Sequence, residues 1–286
     1  MRRRILPSGG AIEQDSRRPL ASAKLFSRDK KRKLEVRLTI TSMRSGGAEP
    51  IHLPPPFTLV RLRERRDAFA HAVNLAHEGG AGTLVYVGRF DLAEFAVVLE
   101  LNERLRSARR AFYAGMVALT DALRAYAPPN KEVAIDWPDA VRVEGGLVGG
   151  GRLGWPASAK EDAPPRWLVF GAMIRTVAMT DSEPGVHPLS SALDQEGFGE
   201  MGAAQLTESF ARHLMRITDI WLTDGFARVA GDYLSRLPRK AGVTYEIDNN
   251  GDLVQRFGSP KAARHNLRDA LRSPSWLDPK LGGPRL

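Results

Sequence analysis

The chain predicts an α+β fold, a mixed β-sheet with packed helices, on three observations. Apolar runs of strand length at 83–87, 94–101, 132–135 and 167–174 are concentrated before residue 175, and two long segments of helical period, 203–222 and 226–237, follow them. Further helical segments interrupt the strands without regular alternation, which favours α+β over a βαβ sheet. A composition that is 43% hydrophobic over 286 residues is enough to bury a sizeable core.

Charge divides the chain before its fold does. Residues 1–50 carry 13 Lys+Arg against 5 Asp+Glu and no sustained period of 2 or 3.6, so they are expected to form a disordered basic tail. The remainder is almost neutral, with 29 basic and 28 acidic residues, and gives no reason to expect a specific nucleic-acid partner. No stretch approaches the roughly 20 apolar residues needed to span a bilayer, and none follows the N-terminal arginines as a secretory signal would. A cytoplasmic protein is expected. Zero cysteines removes disulfides, thiolate nucleophiles and cysteine metal sites.

Pro54-Pro55-Pro56 opens a domain expected over 51–238. Residues 65–78 place Phe69, Ala72, Val73 and Ala76 on one helical face, closed by Gly79-Gly80. Strands at 83–87 and 94–101 flank a short turn, Gly88-Arg89-Phe90-Asp91. Residues 105–126 form the clearest helix, with an apolar stripe from Leu105 to Tyr126 at spacings of three and four. Residues 132–135 read as a buried strand stopped by Trp137-Pro138, since proline cannot continue a ladder. The chain then returns as a hairpin through Ala140, Val141 and Val143, the Gly145-Gly146 turn, and Leu147-Val148. Gly149, Gly150 and Gly151 leave bare backbone there, and bare backbone in a strand marks a close approach. Residues 180–188 read as a loop. Beyond Pro238, strands at 244–247 and 253–257 flank an Asn-Gly turn, and a short helix near 264–271 ends at Ser273-Pro274, so 239–286 is expected to be a small C-terminal α+β module.

The Trp-Pro hairpin resembles the biotin protein ligases and, more loosely, the lipoate protein ligases, which carry a K-W-P-N-D strand end and a return strand with Lys-x-x-Gly. The matching residues are Asp136, Trp137, Pro138, Asp139 and Ala140, then Leu147, Val148, Gly149 and Gly150. Phe170-Gly171-Ala172-Met173-Ile174-Arg175 is similar to the family's G-x-G-I-N strand, with methionine and arginine replacing glycine and asparagine. The resemblance implies a class II aminoacyl-tRNA synthetase/biotinyl-ligase-like fold over about 54–237. It also implies attachment of biotin or a lipoyl-type acyl group to a lysine of a carrier protein domain, with ATP and Mg as cofactors and an acyl-adenylate as intermediate. Asp136, Trp137, Pro138, Asp139, Leu147, Gly149, Gly150 and Gly151 would then bind substrate.

The chemistry of that site is altered. Asp136 and Leu147 stand where the family has lysines, and the Arg/Gly-rich lid loop is reduced to the turn around Arg89. Arginine replaces lysine electrostatically but not in geometry, which nominates Arg89 and Arg175 as the catalytic cations. The competing reading makes them surface arginines at strand ends. A second function therefore stands beside ligation: a catalytically inactive module that binds the biotinyl or lipoyl group, or its carrier. Octanoyl transfer through a cysteine thioester, known on the same fold, is excluded by the absence of cysteine.

Other motifs carry less. Gly149-x-Gly151-x-x-Gly154 is followed by Trp155-Pro156 and not by a helix, so it is no dinucleotide fingerprint. Asp248–Asp252 lacks the frame and distal glutamate of a calcium loop. The six histidines show no ligand spacing, and no metal site is expected.

Overall fold

The computed structural model describes residues 50–64, 66–178, 189–199, 201–258 and 262–286. The basic tail, save Pro50, and the whole 180–188 loop lie outside the described residues. A seven-stranded sheet organises the fold: β1 (Thr58–Leu62), β2 (Thr83–Gly88), β3 (Leu92–Leu99), β4 (Val133–Asp136), β5 (Ala140–Val143), β6 (Gly146–Gly154) and β7 (Leu168–Arg175), in the order β1-β2-β3-β7-β6-β5-β4. Only β1 and β2 run parallel; every other neighbouring pair in this sheet is antiparallel. This is the mixed sheet that an α+β reading requires. β1, with its polar Thr58 and Arg61, was not anticipated.

Helices cover the two faces unequally. On one lie α2 (Leu105–Ala108), α3 (Ala111–Arg124), α4 (Ala203–Asp224) and α5 (Phe226–Leu234). The expected single helix over 105–126 is broken at Arg109-Arg110, because Arg109 turns inward to grip Glu161 with both guanidinium nitrogens at 3.0 and 2.6 Å. α3 is buried nearly all round, between sheet and α4, so its stripe understated its burial. At Gly115 it comes so close to β7 that a Cβ would stand 2.4 Å from the Phe170 ring. Phe170 stacks on Phe210 of α4, with centroids 5.6 Å apart.

The opposite face carries only α1 (Ala68–Gly79), which buries Ala68, Ala72 and Ala76 against β2, β3 and β7. It starts three residues later than expected, because Asp67 caps it by accepting from the Ala70 N–H at 2.9 Å. Phe69 fits where Gly154 and Gly171 leave space; added Cβ atoms there would stand 2.9 and 2.6 Å from its ring. The β5–β6 part of this face is covered instead by the C-terminal segment.

Beyond Leu237 the chain forms a three-stranded sheet, β8 (Thr244–Ile247), β9 (Leu253–Arg256) and β10 (Ala262–His265), then α6 (Leu267–Ala270) and a hairpin of β11 (Leu277–Asp278) and β12 (Gly283–Pro284). The expected hairpin thus gains a third strand, whose last two residues, Arg264 and His265, were read as the start of a helix. Asp252 sets that boundary: its carboxylate accepts from Arg264, Asn266 and the Leu267 N–H, which holds β10 extended and starts α6 only at Leu267. Leu253, Leu267 and Leu271 join the apolar cluster around α3, and Tyr113 of α3 donates to the Gly251 carbonyl at 2.6 Å. No helix among the described residues is long and apolar enough to cross a membrane.

Candidate functional site

Strand register fixes which predicted residues share a face. Glu94, Met173, Gly150, Ala140 and Asp136 are successive cross-strand partners from β3 through β7, β6 and β5 to β4. Side chains alternate across a sheet, so this row and its i±2 neighbours form one surface. Val133 and Ile135 belong to the α3 cluster, which directs Asp136 to the α1 side and Trp137 back toward α3. Trp137 accordingly donates to the Tyr113 hydroxyl at 3.2 Å, and its ring lies 5.6 Å from that of His265. Pro138 offers its carbonyl to the Tyr233 hydroxyl at 2.7 Å. The Trp-Pro corner is therefore fastened to the helical face, while Asp136, Asp139, Leu147 and Gly150 belong to the opposite one.

The bare backbone of β6 is closely approached, and the approaching group is the chain's own C-terminus. A Cβ on Gly150 would lie 2.3 Å from Cδ1 of Trp276, whose indole N–H donates to the Gly151 carbonyl at 2.9 Å. Trp276 is 1% exposed and packs with Leu92, Ala140, Leu147 and Met173. Gly149 is required for a different reason: at φ +150° its Cβ would stand 2.0 Å from the Met173 carbonyl oxygen. Gly151 faces the other way, toward Met116 of α3. Asp139, also 1% exposed, accepts from the Ser275 N–H at 2.9 Å and the Ser275 hydroxyl at 2.6 Å. Burial pushes its carboxyl up to about 6, although both Ser275 donors pull the other way.

The predicted cations have partners. Arg175 donates to the carbonyls of Pro284 at 2.7 Å, Arg285 at 3.3 Å and Ser191 at 3.3 Å, so it grips the C-terminal strand. Arg89 forks onto Asp91 at 3.2 and 3.0 Å and stands 3.8 Å from Glu94. Asp136 pairs with Arg142, and Leu147 is sealed beneath Trp276. Arg89 and Arg175 thus lie on one face, engaged with different groups.

Between the start of α1 and the C-terminal hairpin a cleft of about 260 Å³ remains, lined by Glu64, Asp67, Arg89, Glu94, Arg152 and Met173 among others. Of its side chains, Arg152 lies in a matched segment but was not chosen as a catalytic cation, and Glu94 was not singled out from the sequence. Arg152 bonds Asp67 at 2.8 Å and lies over the Phe69 ring at 4.1 Å, and burial lowers its pKa. Glu94, 3% exposed, accepts from the Ala68 N–H at 2.7 Å, and its carboxyl is raised by loss of water. A charge inside the otherwise apolar β3 run was the available signal for Glu94. For Trp276 the signal was a large aromatic among polar C-terminal residues.

Among the described residues no group of three or more His, Asp or Glu is placed to hold a metal ion. The cleft is close in size to the smallest small-molecule sites, which begin at roughly 300 Å³.

A biotin protein ligase-like protein of unknown function from Silicibacter sp. TM1040 has a similar structure, with a TM-score of 0.68 and 26% identity over 78% of this chain and 100% of that one. The apo biotin protein ligase of Aquifex aeolicus shares the fold at a TM-score of 0.55 and 12% identity, over 73% of this chain and 96% of its own. No curated protein matches the sequence. The model of the biotin/lipoate A/B protein ligase family matches residues 53–235, well over half of the chain, and the seven-stranded sheet lies wholly within that span; this protein belongs to that family.

Proposed function

We propose that this family member binds a biotin- or lipoate-type acid, or the carrier segment that bears it, and does not adenylate it. The observation that carries this reading is the burial of Trp276 on Gly150, which covers the glycine strand with the chain's own indole. Adenylation concentrates negative charge at the reacting carboxylate and phosphate, and catalysis requires fixed cations aimed there. Here Asp136 and Leu147 occupy the two matched positions, and Arg175 holds C-terminal carbonyls. The acid's carboxylate would enter the cleft beside Arg89 and Arg152, displacing the carboxylates they now hold. In this reading residues 51–238 are the ligand-handling domain of a cytoplasmic protein, 239–286 a module that closes its ligand face, and 1–50 a basic tail.

The family match favours a second reading, ATP-dependent attachment of biotin or a lipoyl-type group to a carrier lysine, with Mg²⁺ brought in by the nucleotide. Arg89 and Arg175 would then supply the cations once the C-terminal segment moves. Calorimetric titration of the full chain with biotin, lipoate and octanoate, with and without MgATP, tests both readings alongside pyrophosphate release. Binding of one acid without pyrophosphate release is the expected result. Pyrophosphate release that falls about 10²–10³-fold in Arg89→Ala and Arg175→Ala would replace it with the ligase reading.

A further inference from the structure

The three-stranded C-terminal sheet turns one face to the rest of the chain. Strand register puts Tyr245, Gln255 and Ala263 in one cross-strand row and Ile247, Leu253 and His265 in the next row on the same side. Tyr245, Ile247 and Leu253 pack toward the apolar cluster around α3, so this is the inward face. Glu246, Arg256 and Arg264 lie on the other, where Arg256 pairs with Glu246 and Arg264 with Asp248 and Asp252.

The inward face does not close completely on the larger sheet. Beside the edge strand β4 a pocket of about 290 Å³ remains between the Trp-Pro corner and the C-terminal sheet, lined by Asp136, Trp137, Leu237, Lys240, Tyr245 and His265 among others. It shares no lining residue with the cleft at Arg89 and Arg152. Leu237 and Leu253, both buried, give it apolar surface. Trp137 and His265, with ring centroids 5.6 Å apart, and Tyr245 give it flat walls. Asp136 is neutralised by Arg142, which leaves the Lys240 ammonium as the uncompensated fixed charge of the lining. Among the described residues neither that ammonium, the Gln255 amide nor the Tyr245 hydroxyl has a hydrogen-bond or ion-pair partner.

We propose that this pocket is a second ligand site, for a planar aromatic acid of one or two rings, with the ring system against Trp137 and His265 and the carboxylate on Lys240. Aromatic rings attract one another in offset or tilted arrangements, and a carboxylate on an ammonium makes the stronger, charge-assisted kind of hydrogen bond. Gln255 and Tyr245 add neutral donors beside it. The volume is close to that of the smallest small-molecule sites, as a ligand of one or two rings needs. Because the lining comes from both sides of Pro238, the ligand also ties the C-terminal module to the Trp-Pro corner. The site stands independently of the cleft and of the function proposed for it.

The probe is 2-naphthoate, with 2-naphthamide as its uncharged counterpart, titrated calorimetrically into the full chain. The acid should bind, and Lys240→Met should weaken it about tenfold while leaving the affinity of the amide unchanged. His265→Ala removes a ring wall and should weaken acid and amide alike by about 2–10-fold. Lys240 and His265 are both exposed, so neither substitution threatens the fold. Saturating naphthoate should slow amide hydrogen exchange across 244–247 and 253–256 by about tenfold, because it bridges the two parts of the chain. Absence of binding up to the solubility of the acid overturns the proposal, as does an affinity that either substitution leaves unchanged. Equal loss of acid and amide in Lys240→Met would show that the lysine acts on the fold and not on a charge, and overturns it too. Protection confined to α1 would place the acid in the cleft instead. Binding of biotin or lipoate with naphthoate inert removes this site and keeps the cleft reading; the converse leaves this site standing alone.

Discussion

Replacing Asp139 by asparagine isolates the tie between the C-terminal segment and the sheet. Burial lifts this carboxyl from the ordinary 3.8 to about 6. At about 1.4 kcal/mol per pH unit, that difference of roughly two units corresponds to about 3 kcal/mol. The folded pKa is the higher one, so the folded state holds the proton more tightly than the unfolded chain does. The contribution of the group is therefore fully present below pH 4 and is lost as the pH rises through 6. Asparagine does not titrate. The stability of the natural protein minus that of Asp139→Asn should thus fall by about 3 kcal/mol between pH 4 and pH 7, or roughly 6–12 °C in melting temperature for a chain of this size. Urea unfolding of both proteins across that range measures it. A flat difference would mean that the two Ser275 donors balance burial. A difference that rises with pH would mean that the two Ser275 donors outweigh burial.

The remaining predictions concern the cleft and the core. Arg152→Ala removes a buried cation from the cleft and should weaken binding of the cognate acid about 10–100-fold by titration, while the Asp67 cap on Ala70 keeps α1 in place; unchanged affinity would move the carboxylate elsewhere. Gly115→Val should cost at least about 1–3 kcal/mol in urea, because the new Cβ collides with the Phe170 ring between α3 and β7; an unmoved midpoint would show that Phe170 gives way freely. Arg109→Ala breaks the fork onto Glu161 and should cost about 2 kcal/mol, less than a fully buried pair because Glu161 is a third exposed. A double-mutant cycle with Glu161→Gln reads that coupling, and a coupling near zero would assign the cost to lost packing on Trp155 alone.

The sequence by itself determined the α+β class and most of the elements. Strands β2, β4, β5, β6 and β7 and helices α4 and α5 follow from local apolar period and from Gly and Pro punctuation, which are short-range properties. It also announced a close approach at Gly149–Gly151, because absent side chains mean that something else takes the space. Only the tertiary structure decided what takes it. Trp276 reaches Gly151 across 125 residues of sequence and Ser275 reaches Asp139 across 136. No local pattern encodes such pairings, because they depend on the hairpin lying across the sheet. β1 was missed for a related reason: its extended form is imposed by parallel pairing with β2 and not by its own residues. The arginines follow the same logic. Their positions were legible as cations in the matched segments, but whether Arg89 and Arg175 face a ligand or a neighbour depends on Asp91, Glu94 and the Pro284 carbonyl, and only the folded chain brings those groups to them.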